Sequence, residues 1–208
     1  VEVLEFDDLR QRTEKVDDQE IKERIELATQ IFRIDKSVST SDFEWAARVS
    51  VGLDRLVADF EIDSLAYYHR GLDGELHERL GAGMILGASL LTARGIPATG
   101  EYELRTTVAQ LATQAVGAAG SFTEIEALNF IDGVVEMGHD GAAHLALASR
   151  KPLLRGLGVY HGKRGSGVSV EAEILHGPVT LLGVGQNRDG SLSFVASEGS
   201  VVPGPLLE

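Results

Sequence analysis

The periodicity of the apolar residues changes once along this chain, near Gly117, and that change limits the fold more than any other feature. Before it, small and apolar residues recur at helical spacing. Ile21, Ile25, Ala28 and Phe32 do so after the acidic Asp17-Asp18, and Phe43, Ala46, Ala47, Ser50, Leu53, Val57 and Phe60 after Ser39-Thr40-Ser41-Asp42, a set of good N-cap residues. Glu75 to Arg94 reads as a helix that stops at Gly95, and Leu104, Val108, Leu111 and Ala115 mark another that opens just after Thr99-Gly100. Val1 to Phe6 looks strand-like, and Ile62 to His69 reads as a buried strand ending at Gly71. Beyond Gly117 come short β-prone runs (Val134 to Met137, Leu157 to Tyr160, Val168 to Leu175, Val179 to Val184, Ser191 to Ala196) separated by Gly, Pro and Asp-Gly turns, with a hairpin predicted at Asp189-Gly190. The pattern predicts an α/β layer followed by a mostly antiparallel β domain.

Composition narrows the chemistry. The 208 residues, 43% apolar and 25% charged, suit a soluble globular chain with a real core. A formal charge of −13, from 19 basic and 32 acidic residues, argues against nucleic acid or an anionic membrane as partner. With no Cys there are no disulfides or thiolate sites, so any metal must be held by oxygen and imidazole, which points to Mg, Mn or a His/carboxylate Zn site. Neither an 18-residue apolar run nor a basic-then-apolar leader is present, which predicts a cytoplasmic protein. The chain starts without Met and stops after Pro203-Gly204-Pro205, so both ends are expected to be cut from a longer protein.

Two glycine-rich stretches suggest nucleotide loops and fail on spacing. Gly81-Ala82-Gly83-Met84-Ile85-Leu86-Gly87 is one residue too long for a dinucleotide loop and lies inside a helical pattern, where close helix packing explains it better. Gly162-Lys163-Arg164-Gly165-Ser166-Gly167 has Leu157 where a P-loop needs its first glycine and Arg164 where it needs Ser or Thr. It is either a surface turn or a hairpin aiming Tyr160, His161 and Lys163 into a pocket.

Three other glycine-marked settings carry the candidate site: Gly100-Glu101-Tyr102-Glu103, Gly120-Ser121-Phe122-Thr123-Glu124 and Met137-Gly138-His139-Asp140-Gly141. Two Glu and one His suit both a divalent metal and proton transfer. Each residue also has a plainer reading. Glu101 in a first helical turn would complement the helix dipole, Glu124 could lie exposed at a strand edge, and His139 could be a structural residue projecting from a strand-end turn. His144, Asp140 and Glu126 are secondary candidates.

Taken together, those three stretches, with Leu157-Gly158-Val159-Tyr160-His161-Gly162-Lys163 and His176-Gly177-Pro178, resemble the L-arabinose isomerase family within the L-fucose/L-arabinose isomerase group. The likeness is strongest from Gly95 to Glu208. It implies a middle, Rossmann-like α/β domain over residues 1–118 and the first part of a C-terminal, β-barrel-like domain over 119–208. It also implies that Glu101, Glu124 and His139 are metal ligands for Mn2+ or another divalent cation, converging on a common point. A fourth ligand, a His, and the amino-terminal domain would lie outside this chain. Glu101 and Glu124 would share the acid/base work, and Phe122, His161 and Lys163 would line the substrate pocket. One departure is Tyr102-Glu103 where many arabinose isomerases have Gly-Asp.

The implied activity is that of an intramolecular oxidoreductase of arabinose catabolism, interconverting an aldose and its ketose through an ene-diol, in a full-length homo-oligomer. A fragment of this length would be inactive alone. A metal-dependent aldolase or epimerase would use similar ligands with a different acid partner. A non-catalytic sugar-binding module would keep the pocket and lose the paired carboxylates.

Overall fold

A computed structural model describes residues 1–68, 75–139, 141–160 and 163–204. Two helices open it, α1 (Phe6–Thr13) and α2 (Asp18–Ile31). The second begins in a capping box: the Glu20 N–H donates to Asp17 Oδ1 and the Asp17 N–H to Glu20 Oε2, both at 2.9 Å. The strand expected over Val1 to Phe6 does not form, because the alternation there meets no partner strand and Val1 and Val3 stay exposed. Helix formation starts at Phe6 instead. The Glu5 N–H donates to Asp8 Oδ2, Arg10 pairs with Asp7 and Glu14 at 2.9 Å each, and Leu9 is buried among Leu53 and Leu56.

The short strand β1 (Arg33–Ile34) leads to α3 (Thr40–Asp59), which Ser39 caps by accepting the Asp42 N–H at 3.1 Å. Next come β2 (Leu65–Ala66), α4 (Glu75–Ala93), β3 (Ala98–Thr99) and α5 (Leu104–Ala115). β2 and β3 pair in parallel with α4 as the crossover, a minimal βαβ unit. The strand expected from Ile62 to His69 shrinks to two half-buried residues, since the Ile62 N–H is used to close α3 on the Val57 carbonyl at 3.0 Å. His69 lies outside the described residues.

α4 is buried from Leu80 to Thr92. Its glycines permit this: a Cβ on Gly83 would lie 2.9 Å from Val49 Cγ2 and Trp45 Nε1, and one on Gly87 2.9 Å from the Ser50 Cα. Close packing of α4 on α3 is therefore the role of this stretch, as its spacing suggested. α5 forms where expected but shows a different face to the interior. Leu104 and Val108 are exposed, whereas Thr107, Ala109 and Gln110 are buried.

The second half holds β4 (Glu124–Asn129), β5 (Val134–Gly138), a 3-10 turn at Leu145–Leu147, β6 (Leu153–Gly156), β7 (Val159–Tyr160), β8 (Lys163–Arg164), β9 (Val168–Glu171), β10 (Gly177–Gln186) and β11 (Leu192–Val201). Pairing is antiparallel in β4–β5, β6–β9, β7–β8 and β10–β11, the last turning at Asp189-Gly190 as predicted. The fold is thus a mixed α and β one, and the described residues form no closed barrel. β6 also pairs in parallel with β1, so the order β1-β6-β9 lays the later strands on the earlier helices. Leu154 and Val168 are buried there with Phe32, Leu86 and Leu90.

Leu154 is fully buried at this junction, and trimming it leaves a cavity the surrounding helices cannot close. Leu154→Ala is expected to cost about 2–5 kcal/mol, read from the shift in urea midpoint at unchanged slope. A loss well under 1 kcal/mol would show that residues 153–171 do not pack on this core.

Candidate functional site

The site is built by two loops and one hairpin. The parallel strands β2 and β3 end side by side, and the Tyr102 N–H donates to the Tyr67 carbonyl at 3.1 Å, holding the turn that follows β3 against the end of β2. This turn carries Gly100 and Glu101. Carboxyl ends of parallel strands are where open α/β sheets place their ligands, because strand direction aims loop side chains and helix N-termini toward one edge.

The β4–β5 hairpin supplies the other two groups. Its register sets Glu124 opposite Gly138, the last residue of β5, and His139 follows where the chain leaves the strand. Glu124 Oε2 lies 3.5 Å from His139 Nδ1. The two differ in setting: the imidazole is only 6% exposed, the carboxylate 45%. Phe122 is buried against the imidazole, with ring centroids 4.0 Å apart and planes at 42°. The Thr123 hydroxyl donates to the Gly138 carbonyl at 3.3 Å and ties the two strands together at this end.

The opposite edge of the imidazole meets backbone. A Cβ on Gly141 would fall 2.4 Å from His139 Nε2, and one on Gly100 would fall 3.5 Å from it. The turn after β3 therefore abuts the same imidazole that Glu124 faces, which brings Gly100-Glu101 next to the Glu124–His139 pair. Glu101 itself is exposed and adopts φ 61°. It does not lie in the first turn of α5 as expected, since that helix starts at Leu104.

Glu124 and His139 present oxygen and nitrogen donors of the kind a divalent cation takes. Among the described residues no group of three His, Asp or Glu gathers closely enough to hold a metal, so Glu101 stands beside the pair without completing it. Lys163 lies in β8, paired with Tyr160, while His161 and Asp140 fall outside the described residues. Glu126 is exposed on β4. The His144 N–H donates to Ser121 Oγ at 3.2 Å, and its Nδ1 accepts the Ala146 N–H at 3.3 Å.

Three supporting residues have no counterpart among the sequence-based expectations. Gln110 donates to the Gly120 carbonyl at 3.1 Å and fixes the loop that enters β4. The buried hydroxyls of Thr99 and Thr107 meet at 2.5 Å and fasten the end of β3 to α5. Polar residues three apart on one helix face, Thr107 and Gln110, were the available signal. The apolar stripe of Leu104 and Val108 beside them is exposed. No protein-family profile matches the chain, and no curated protein matches its sequence.

Two outcomes follow from this geometry. Gly141→Ala is expected to push the His139 ring off Phe122 and to destabilise the fold by about 1–3 kcal/mol, checked by imidazole NMR shifts and urea melts. Burial of His144 disfavours its charged form and lowers its pKa below the ordinary value near 6.5. The unfolded chain then takes up this proton first on acidification. The contribution is whole above about pH 6.5, by the ordinary His value, and is lost as pH falls through the lower folded value. His144→Asn should flatten that part of the stability–pH curve.

Proposed function

We propose that the chain carries part of the site of a metal-dependent aldose–ketose isomerase of the L-arabinose isomerase type. The observation that supports this best is the Glu124–His139 pair, 3.5 Å apart, beside the turn that bears Glu101. Those are the three residues at which the sequence resembles the family's metal ligands. In this reading Glu124 and His139, joined by Glu101, hold Mn2+ or another divalent cation, which supplies positive charge for the oxygens on C1 and C2 of the sugar. The strands after Gly117 would belong to a larger barrel-like domain. The whole protein would act as a cytoplasmic homo-oligomer in arabinose catabolism, with no nucleic-acid or membrane partner.

The chain's own groups account for the proton movements. One of the two carboxylates, Glu101 or Glu124, takes the proton from C2 of the aldose and returns it to C1, while the other assists transfer between the hydroxyl oxygens. The sugar is oxidised at one carbon and reduced at its neighbour, so no external redox partner is required. The buried His139 ring, wedged between Phe122 and Gly141, gives Glu124 a fixed neighbour. By the same resemblance, Phe122, His161 and Lys163 would contact the sugar.

The test is incubation of the full-length protein with Mn2+ and a panel of aldopentoses and 6-deoxyhexoses, followed by ketose detection. Glu124→Gln should lower turnover by about 10²–10⁴ and leave the fold intact, since the amide keeps the shape but cannot accept the proton. Chelation should mimic the mutation, with added Mn2+ rescuing the wild type alone. Aldol cleavage or epimerised products in place of ketose would assign the site to another reaction, and sugar binding without turnover would make it a binding module.

A further inference from the structure

Among the described residues, Glu61, Glu101 and Tyr102 adopt positive φ without being glycine, at 50°, 61° and 55°. Glu61 has an ordinary reason. It ends α3, where the Glu61 N–H reaches the Ala58 carbonyl at 3.4 Å and the Ile62 N–H reaches that of Val57, as left-handed residues do at helix C-termini. Glu101 and Tyr102 are the central residues of a left-handed turn that the Glu103 N–H closes on the Gly100 carbonyl at 3.1 Å, a geometry that favours Gly, Asn and Asp. They are consecutive, in the turn between β3 and α5, and a bulky side chain in this region is a genuine outlier.

The fold draws little from the Tyr102 side chain. It is 59% exposed and joins none of the buried clusters. Its backbone does hold the turn, through Tyr102 N–H to the Tyr67 carbonyl and Leu104 N–H to the Tyr102 carbonyl, but glycine would make both bonds without strain. What the ring does touch is Tyr68, at 5.7 Å between centroids and 58° between planes. Tyr68 follows β2 and Tyr102 follows β3, so two tyrosines stand together at the carboxyl ends of the parallel pair, and Tyr102 lies on the turn whose Gly100 abuts His139.

We infer that Tyr102, with Tyr68 beside it, is a stacking platform for the C–H face of a neutral sugar whose hydroxyls are held at the Glu124–His139 pair. This rests on the reading given under Proposed function and adds a substrate-contacting residue to it. An aromatic face carries partial negative charge and attracts the C–H groups of a sugar, and it repels a phosphorylated one. The platform therefore selects by the pattern of axial and equatorial hydroxyls, which decides whether a continuous C–H face exists to stack.

The experiment compares Tyr102→Gly, Tyr102→Asn and Tyr102→Phe in the intact protein with Mn2+, reading sugar affinity by calorimetry over the same pentose and deoxyhexose panel, alongside thermal melting. Gly and Asn tolerate positive φ and remove the ring. They should leave Tm unchanged or raise it by up to about 2–4 °C while weakening sugar binding about tenfold. Phe keeps both ring and strain and should bind as the wild type does. If Gly and Asn lower Tm and leave affinity untouched, the ring is structural and the platform is overturned. Tyr102-dependent binding by a wild type that makes no ketose supports the platform and removes the isomerase reading. Isomerisation with affinity independent of Tyr102 removes the platform only, and a wild type that binds no sugar removes both.

Discussion

The contact between α3 and α4 is the constraint on which the rest of this structure depends. α4 is apolar nearly all round and buried along most of its length, which for a 19-residue helix demands neighbours on every side. Gly83 and Gly87 let α3 approach on one side. β9 and the 3-10 turn at Leu145–Leu147 pack on others, and β3 follows directly from the helix end. The same helix reaches the site by a polar route. Ser89, fully buried, accepts the Ala143 N–H at 3.1 Å and so fixes the segment just after Gly141, whose missing side chain makes room for the His139 ring. One helix thereby positions both the turn after β3 and the loop that walls His139.

How much of this was legible in the sequence depended on whether local signals were sufficient. Capped, strongly periodic segments read correctly: Asp17 and Ser39 announced α2 and α3, and the glycines of α4 announced close packing. Failures came where tertiary partners decide. Val1 to Phe6 alternates like a strand but has nothing to pair with, while the Arg10 ion pairs and the Leu9 contact favour a helix. On α5 the buried face is the polar one, because Thr107 and Gln110 find partners in Thr99, Glu103 and Gly120 that no periodicity count can foresee. For the site, the nearness of Glu124 and His139 depends on a hairpin that sequence suggested only as short β-prone runs and on the path of the chain as it leaves β5, whereas the strained backbone at Glu101 and Tyr102 left no trace in composition.

The two carboxylates occupy settings that differ in rigidity. Glu124 is anchored on a paired strand, with its oxygen beside an imidazole that Phe122 and two glycine positions hold on all sides. Glu101 projects from a two-residue left-handed turn whose conformation costs roughly 1–3 kcal/mol per residue and persists because hydrogen bonds on either side over-determine it. A rigid acid and a strained, exposed one suit different tasks. On the proposed reading the first would fix a reference position for a bound metal, and the second would have room to adjust, since leaving the left-handed region relieves strain.

Charge adds a further restriction on what can occupy this place. Glu101 and Glu103 on the turn after β3, and Glu124 on the hairpin beside it, add carboxylates to a chain that carries −13 overall, and Arg105, 58% exposed, lies 4.0 Å from Glu103. Like charges so arranged repel one another, and a divalent cation between Glu124 and its neighbours offsets that repulsion more effectively than a monovalent one. The same field disfavours anionic substrates, so a phosphorylated sugar would enter against the potential while a neutral one would not. On the isomerase reading proposed above, these carboxylates would favour an uncharged sugar over an anionic one, and recognition would then rest on hydroxyl contacts and on aromatic surface of the kind the neighbouring Tyr68 and Tyr102 rings offer.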